Sequence, residues 1–219
     1  INFEKLLNEV DCPKHIKQYS EWNLDLLYPK NKEPIPKIIH LIYFKERALQ
    51  LYHYGCVMSM LEHLPDYQIK LYNDKEPEGN KYWDAMKEMD RIEIVPYKRP
   101  IEFDGFHLGH VQYAADVTRL ELLYEHGGVY MDLDMLIFQD FTEFISKKDL
   151  YISYEGGNKG PLINSFLAAK PKNDFIKLWL DSFKTGLRME KWAYHIGHSN
   201  KQLLEKNKHF ILKYKIECM

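Results

Sequence analysis

The chain has 219 residues, 45% hydrophobic and 28% charged, with a formal net charge of −2. Such a composition describes a globular chain able to bury a core, and it lacks the basic runs a nucleic-acid partner would require. Cys12, Cys56 and Cys218 are spaced for neither a zinc site nor a disulfide framework, and no apolar stretch reaches the ~18 residues of a membrane span.

Residues 1–34 read as a charged, helical lead-in that closes on the turn-rich YPKNKEP, and 35–219 as a single domain. IPKIIHLIYF is short, β-branched and introduced by Pro36, which predicts a buried strand over Ile38–Phe44. ALQLYHYGCVMSMLEHL has helical spacing and breaks at Pro65 and Asp66. YQIKLYND is the second strand, a short helix covers Tyr82–Met89, and RIEIVPY is the third strand. KRPIEFDGFHLGH reads as a long connector. A helix follows from about Gly109 to Glu125, ended by Gly127 and Gly128. VYMDLDMLIF is then predicted as a strand, followed by LYISYE, PLINSFLAAKP, a helix in NDFIKLWLDSF, a helical SNKQLLEK and a strand-like HFILKYKI. Strands alternating with helices imply an α/β fold with a largely parallel sheet, whose ligands sit beyond the C-terminal strand ends.

Within VYMDLDMLIF, Asp132 and Asp134 would project to one side of a strand, and Met131, Leu133 and Met135 to the other. Two neighbouring carboxylates repel, and burial adds a desolvation cost. One of them takes a proton, a basic side chain pairs with them, or a cation binds. Mg²⁺ and Mn²⁺ favour carboxylate oxygens and could bridge to a diphosphate. The alternative is a strand that ends near Tyr130 and leaves both aspartates solvated. Asp116 and Arg119 lie three apart on the preceding helix and share a face, as a surface ion pair or as part of a site.

YAADVTRLELLYEHGGVYMDLDM resembles the core motif of the D-x-D sugar transferases of glycosyltransferase family 32, the group of the yeast initiating mannosyltransferase and the bacterial capsule sugar transferases. The same block is similar to the core of the clostridial glucosylating toxins. IPKIIHLIYF, LPDYQIKLYND and LINSFLAAKP resemble that group's first, second and later Asn-containing strands. The resemblance covers about Ile35 to Lys170.

It implies the nucleotide-diphospho-sugar transferase (GT-A) fold, a Rossmann-like and mostly parallel sheet flanked by helices. It implies a Mn²⁺ or Mg²⁺ cofactor, a nucleotide-diphospho-sugar donor, a glycan or other hydroxyl acceptor, and retention at the anomeric carbon. Uridine donors are favoured over guanosine donors. Asp134 would be the direct metal ligand, with Asp132 nearer the ribose and sugar and reaching the metal through water. Asp116 and Arg119 would hold the donor sugar, and Asn164 would approach the sugar or diphosphate. Tyr43, with Ile42 beside it, stands where the relatives often carry Trp-Gly, and its ring would stack on the base. The third metal ligand would come from the C-terminal part, His198 ahead of His195, on a loop where Trp192 could close over the donor. His40 reads as a hydrogen-bonded core histidine, and Tyr154–Gly160 as either an acceptor-site edge or a plain hairpin loop.

Two other functions fit parts of the pattern. A haloacid-dehalogenase-type phosphotransferase also uses D-x-D after a strand, but Leu136 stands where its Thr or Val belongs, and no later acidic pair follows Asp149. A non-catalytic sugar-nucleotide or glycan-binding domain of the same fold is the second. A cytoplasmic location is the default expectation. Because the chain starts at Ile1, a lumenal fragment of an anchored enzyme is the alternative.

Overall fold

The computed structural model describes residues 33–44, 48–154 and 162–186, with Leu203 and the pair 217–218. Its centre is a seven-stranded sheet in the order β3-β2-β1-β6-β8-β7-β9. The strands are β1 (Ile38–Tyr43), β2 (Gln68–Asn73), β3 (Ile92–Pro96), β6 (Gly128–Met131), β7 (Leu150–Tyr154), β8 (Leu162–Ala169) and β9 (Glu217–Cys218). β1, β2, β3 and β6 run parallel, β8 is antiparallel to β6 and β7, and β9 pairs parallel with β7. The predicted α/β architecture with a mostly parallel centre is therefore present.

Side-chain alternation along β1 builds two cores. Ile39, Leu41 and Tyr43 face α1 (Leu51–His63) and α2 (Lys81–Lys87), where Cys56, Val57, Met60, Trp83 and Met86 are buried. On the other face, Tyr130 and Leu167 pack under α3 (Val111–His126) and α5 (Asp174–Gly186), with Val117, Leu120, Phe175 and Trp179 inside. The helix starts follow side-chain chemistry: Asn80 Oδ1 accepts the backbone N–H of Tyr82 and Trp83, and Asn173 Oδ1 accepts those of Phe175 and Ile176.

Gly127 and Gly128 carry the chain from α3 into β6 with φ of 64° and 101°. A Cβ on Gly128 would stand 2.6 Å from the Ile38 carbonyl oxygen and 3.1 Å from His40 Nε2, so β6 can lie against β1 only without a side chain there. Gly128→Ala is expected to destabilise by about 2–5 kcal/mol, from backbone strain plus the clash. Urea denaturation checks this, and a loss below about 0.5 kcal/mol, the range of a surface change, would contradict it.

Three local expectations are corrected. The connector after β3 holds a hairpin, β4 (Glu102–Phe103) and β5 (Phe106–His107), turned by Asp104 and Gly105 at φ of 51° and 76°. That Asp-Gly pair is a standard sequence signal for such a turn. A short helix, α4 (Thr142–Ile145), precedes β7. The strand containing the two aspartates stops at Met131. The Asp132 N–H makes a last bond to the Ser165 carbonyl of β8, and the Met135 N–H turns back to the Asp132 carbonyl. Asp132 and Asp134 thus occupy a turn at the sheet's edge. Leu133 and Met135 still pack into the first core, which is why the alternation imitates a longer strand. The helical SNKQLLEK (apart from Leu203) and the strand-like HFILKYKI lie outside the described residues. No helix among the described residues is long and apolar enough to cross a membrane.

Candidate active site

β2 and β3 lie on one side of β1 and β6 on the other, so the strand order reverses between β1 and β6. In open α/β sheets such a reversal opens a crevice at the carboxyl ends of the strands. Asp132 follows the last residue of β6 directly, at the mouth of this crevice.

Behind Asp132 stands a buried polar network from three elements. Arg119, on α3, reaches Asp116 Oδ1 at 3.1 Å through Nη2, and Asp132 Oδ1 at 3.2 Å through Nη1. Its Nη1 also donates to the Asn164 carbonyl at 2.7 Å, and its guanidinium lies 4.3 Å over the Tyr130 ring. Asn164, in β8, donates from Nδ2 to Asp116 Oδ1 at 2.9 Å. The Tyr130 hydroxyl donates to Asp132 Oδ1 at 2.6 Å. Asp116, Arg119 and Asn164 are only 2%, 6% and 5% exposed, so the surface ion pair considered for Asp116 and Arg119 is ruled out. Burial works against the Arg119 charge, but Tyr130, Asp132 and Asp116 outweigh it and hold the guanidinium firmly protonated. Burial pushes the Asp132 carboxyl up, while Arg119 and the Tyr130 hydrogen bond pull it down; the net shift is upward, with Asp134 and Asp116 adding to it.

Asp134 differs: it is exposed, and its carboxylate makes no hydrogen bond or ion pair among the described residues. No group of three His, Cys, Asp or Glu among the described residues could hold a metal. Two carboxylates, one open to solvent, nevertheless suit a hard divalent cation that keeps waters and takes its other oxygens from a substrate diphosphate. His195, His198, Trp192 and the loop after Tyr154 lie outside the described residues.

The structure therefore gathers Asp116, Arg119, Asp132 and Asn164, with Asp134 at the rim. It adds Tyr130, which the sequence reading had not singled out, although residues two apart in a strand share a face. Tyr43 lies elsewhere: it faces the first core, 7% exposed, with its ring 6.0 Å from that of Trp83. The half-buried Ile42 lies on the Tyr130 side of β1, the face it shares with His40. Cys56 donates to the Asp132 carbonyl, but burial pushes its thiol up to about 12, so it offers no thiolate.

His40 is a fully buried core residue. Its Nε2 lies 2.8 Å from the Gly127 carbonyl, which can only accept, so the proton sits on Nε2 and Nδ1 accepts from the Tyr72 hydroxyl at 3.0 Å. Burial holds its pKa down at about 4, against 6.5 when unfolded. As pH falls, the unfolded chain takes this proton first. The stability contribution is thus complete above pH 6.5 and drains away toward pH 4. Wild-type should lose up to about 3 kcal/mol relative to His40→Gln across that window in urea titrations. Parallel curves for the two proteins would contradict this.

Known proteins resemble this chain in sequence and in fold. Residues 46–151 match the family model of the glycosyltransferase sugar-binding region containing the DXD motif, and residues 107–215 match that of capsular polysaccharide synthesis proteins. Over these residues the chain is similar to the DXD-containing glycosyltransferases, and its fold is the GT-A fold. Glucan organizing enzyme 1 of Cryptococcus neoformans is 26% identical over 77% of this chain and 50% of its own length. Glycosyltransferase afumC of Aspergillus fumigatus is 35% identical over 37% of this chain and 23% of its own. The chain thus spans half or less of these curated relatives. Among solved structures, the PaToxG glycosyltransferase superposes with a TM-score of 0.61 at 17% identity, covering 94% of this chain and 76% of that one. At such identity the likeness concerns the fold.

Proposed function

We propose that this chain is a metal-dependent, retaining glycosyltransferase that moves a sugar from a nucleotide-diphospho-sugar, uridine-linked in preference to guanosine-linked, to a hydroxyl of a glycan or related acceptor. The observation that carries the reading is the buried Asp116–Arg119–Asp132–Asn164 network opening onto the exposed Asp134 at the strand-order reversal. A buried network this fully paired fixes Asp132 in one orientation. Asp134 and Asp132 would hold Mn²⁺ or Mg²⁺, which when bound offsets the charge developing on the leaving diphosphate.

Asp132, braced by Arg119 and Tyr130 on one oxygen, keeps its other oxygen for the ribose, the sugar or a metal-bound water. Asp116 and Asn164 form the buried wall against which the donor sugar hydroxyls are held. With no carboxylate assigned as a covalent nucleophile, the departing phosphate is expected to take the proton of the incoming hydroxyl on the same face of the sugar.

The test is a panel of UDP-glucose, UDP-galactose, UDP-N-acetylglucosamine and GDP-mannose with Mn²⁺, read by NMR for released sugar and its first-formed anomer. Metal-dependent release of one sugar with its configuration kept supports the reading. Inversion would overturn retention. No release from any donor would favour the glycan-binding alternative, and a phospho-aspartate trapped at Asp132 would favour the phosphotransferase.

A further inference from the structure

Beside the aspartate turn, the outer side of α1 carries large apolar side chains in the open: Leu51 and Tyr52 are 64% and 56% exposed. Leu136, two residues beyond Asp134, is 53% exposed and reaches within 4.0 Å of the place a Cβ on Gly55 would occupy. The segment after Asp132 is bound along this helix, since Cys56 donates to the Asp132 carbonyl and the Ile137 N–H donates to Ser59 Oγ. Tyr52 and Leu136 thus flank one shallow surface on the helix. The His53 ring lies tilted at 30° against Tyr52 with centroids 4.0 Å apart, within the electrostatic reach of Asp134. The Gln50 N–H donates to His53 Nδ1, so the proton of the neutral ring sits on Nε2, which is left as a donor. From Leu51 to Leu61 the helix carries no Asp, Glu, Lys or Arg.

We propose that Tyr52, with Leu136 and the His53 Nε2–H beside it, forms the acceptor platform of the site and selects an uncharged sugar ring. The inference rests on the transferase reading above. A pyranose presents a C–H face that packs on an aromatic ring and hydroxyls that accept from an imidazole N–H. Among the described residues the helix face offers no counter-ion to a uronate or a phosphorylated sugar, which would lose water and gain no partner. The surface continues directly into the turn bearing Asp134, where the donor's reacting carbon would be held. Exposed aromatic and aliphatic side chains next to a site are otherwise costly to leave in water.

The experiment measures transfer from the donor that wild-type hydrolyses to p-nitrophenyl glucoside, galactoside, mannoside and glucuronide. Wild-type is expected to glycosylate at least one neutral glycoside and to leave the glucuronide unmodified. Tyr52→Ala should raise KM for that glycoside about tenfold with kcat within twofold, and Tyr52→Phe should stay close to wild-type. Unchanged KM in Tyr52→Ala, preference for the glucuronide, or no transfer to any neutral glycoside while donor hydrolysis continues would overturn the platform. Absence of donor hydrolysis in wild-type would overturn the transferase reading as well. Because Tyr52 is exposed, its replacement leaves folding intact, which a matching melting temperature verifies.

Discussion

Asp134→Asn is expected to lower turnover about a thousandfold or more, because one neutral amide oxygen would not replace a carboxylate on the hard cation proposed to stabilise the leaving diphosphate. Its stability should stay within about 0.5 kcal/mol of wild-type, since the side chain is exposed and makes no hydrogen bond or ion pair among the described residues. This pairing of outcomes separates a chemical role from a structural one. Single-turnover release of sugar, measured with the urea midpoint of the same preparation, checks both. Turnover within tenfold of wild-type would remove Asp134 from the metal site.

Arg119→Leu should have the opposite profile in stability. The substitution leaves Asp116 and Asp132 without the cation that bridges them, and it frees the Asn164 carbonyl from its partner. Breaking a buried pair by removing one member costs about 3–5 kcal/mol, because the remaining charge stays out of water. Turnover should fall with it, since Asp132 loses its orientation. Arg119→Lys keeps the charge but not the planar fork that reaches Asp116 and Asp132 together. It is expected to recover part of the stability and little of the activity. If Arg119→Leu is as stable as wild-type in urea, the network does not act as a structural unit.

Much of this arrangement was legible from spacing alone. Asp116 and Arg119 are three apart in a helical pattern, and Gly127 and Gly128 mark where that helix gives way to β6. What could not be read was the third member. Asn164 meets Asp116 across 48 residues of chain, through the antiparallel pairing of β8 with β6, and no local periodicity encodes that pairing. The resemblance to a family of sugar transferases, rather than the residues themselves, pointed to it.

The aspartate turn was read as strand because Met131, Leu133 and Met135 keep a strand-like rhythm after the ladder has ended; burial, not hydrogen bonding, set that rhythm. Tyr43 was expected to face a base. Its parity along β1 puts the ring against Trp83 in the core, while Ile42 takes the Tyr130 side. Tyr130 was overlooked because an aromatic in an apolar strand is ordinarily core. Here it is core and also donates to Asp132.

The central claim is that Asp132 and Asp134 join a divalent cation to a nucleotide diphosphate. Thermal unfolding with UDP and with GDP, each with and without Mn²⁺, tests it most directly. A ligand at about a hundred times its Kd stabilises by about 2.7 kcal/mol, or roughly 5–10 °C for a chain of this size. The account predicts such a shift with UDP only when Mn²⁺ is present, a smaller one with GDP, and its loss in Asp134→Asn. A shift of equal size without metal, or none with either nucleotide, would contradict it.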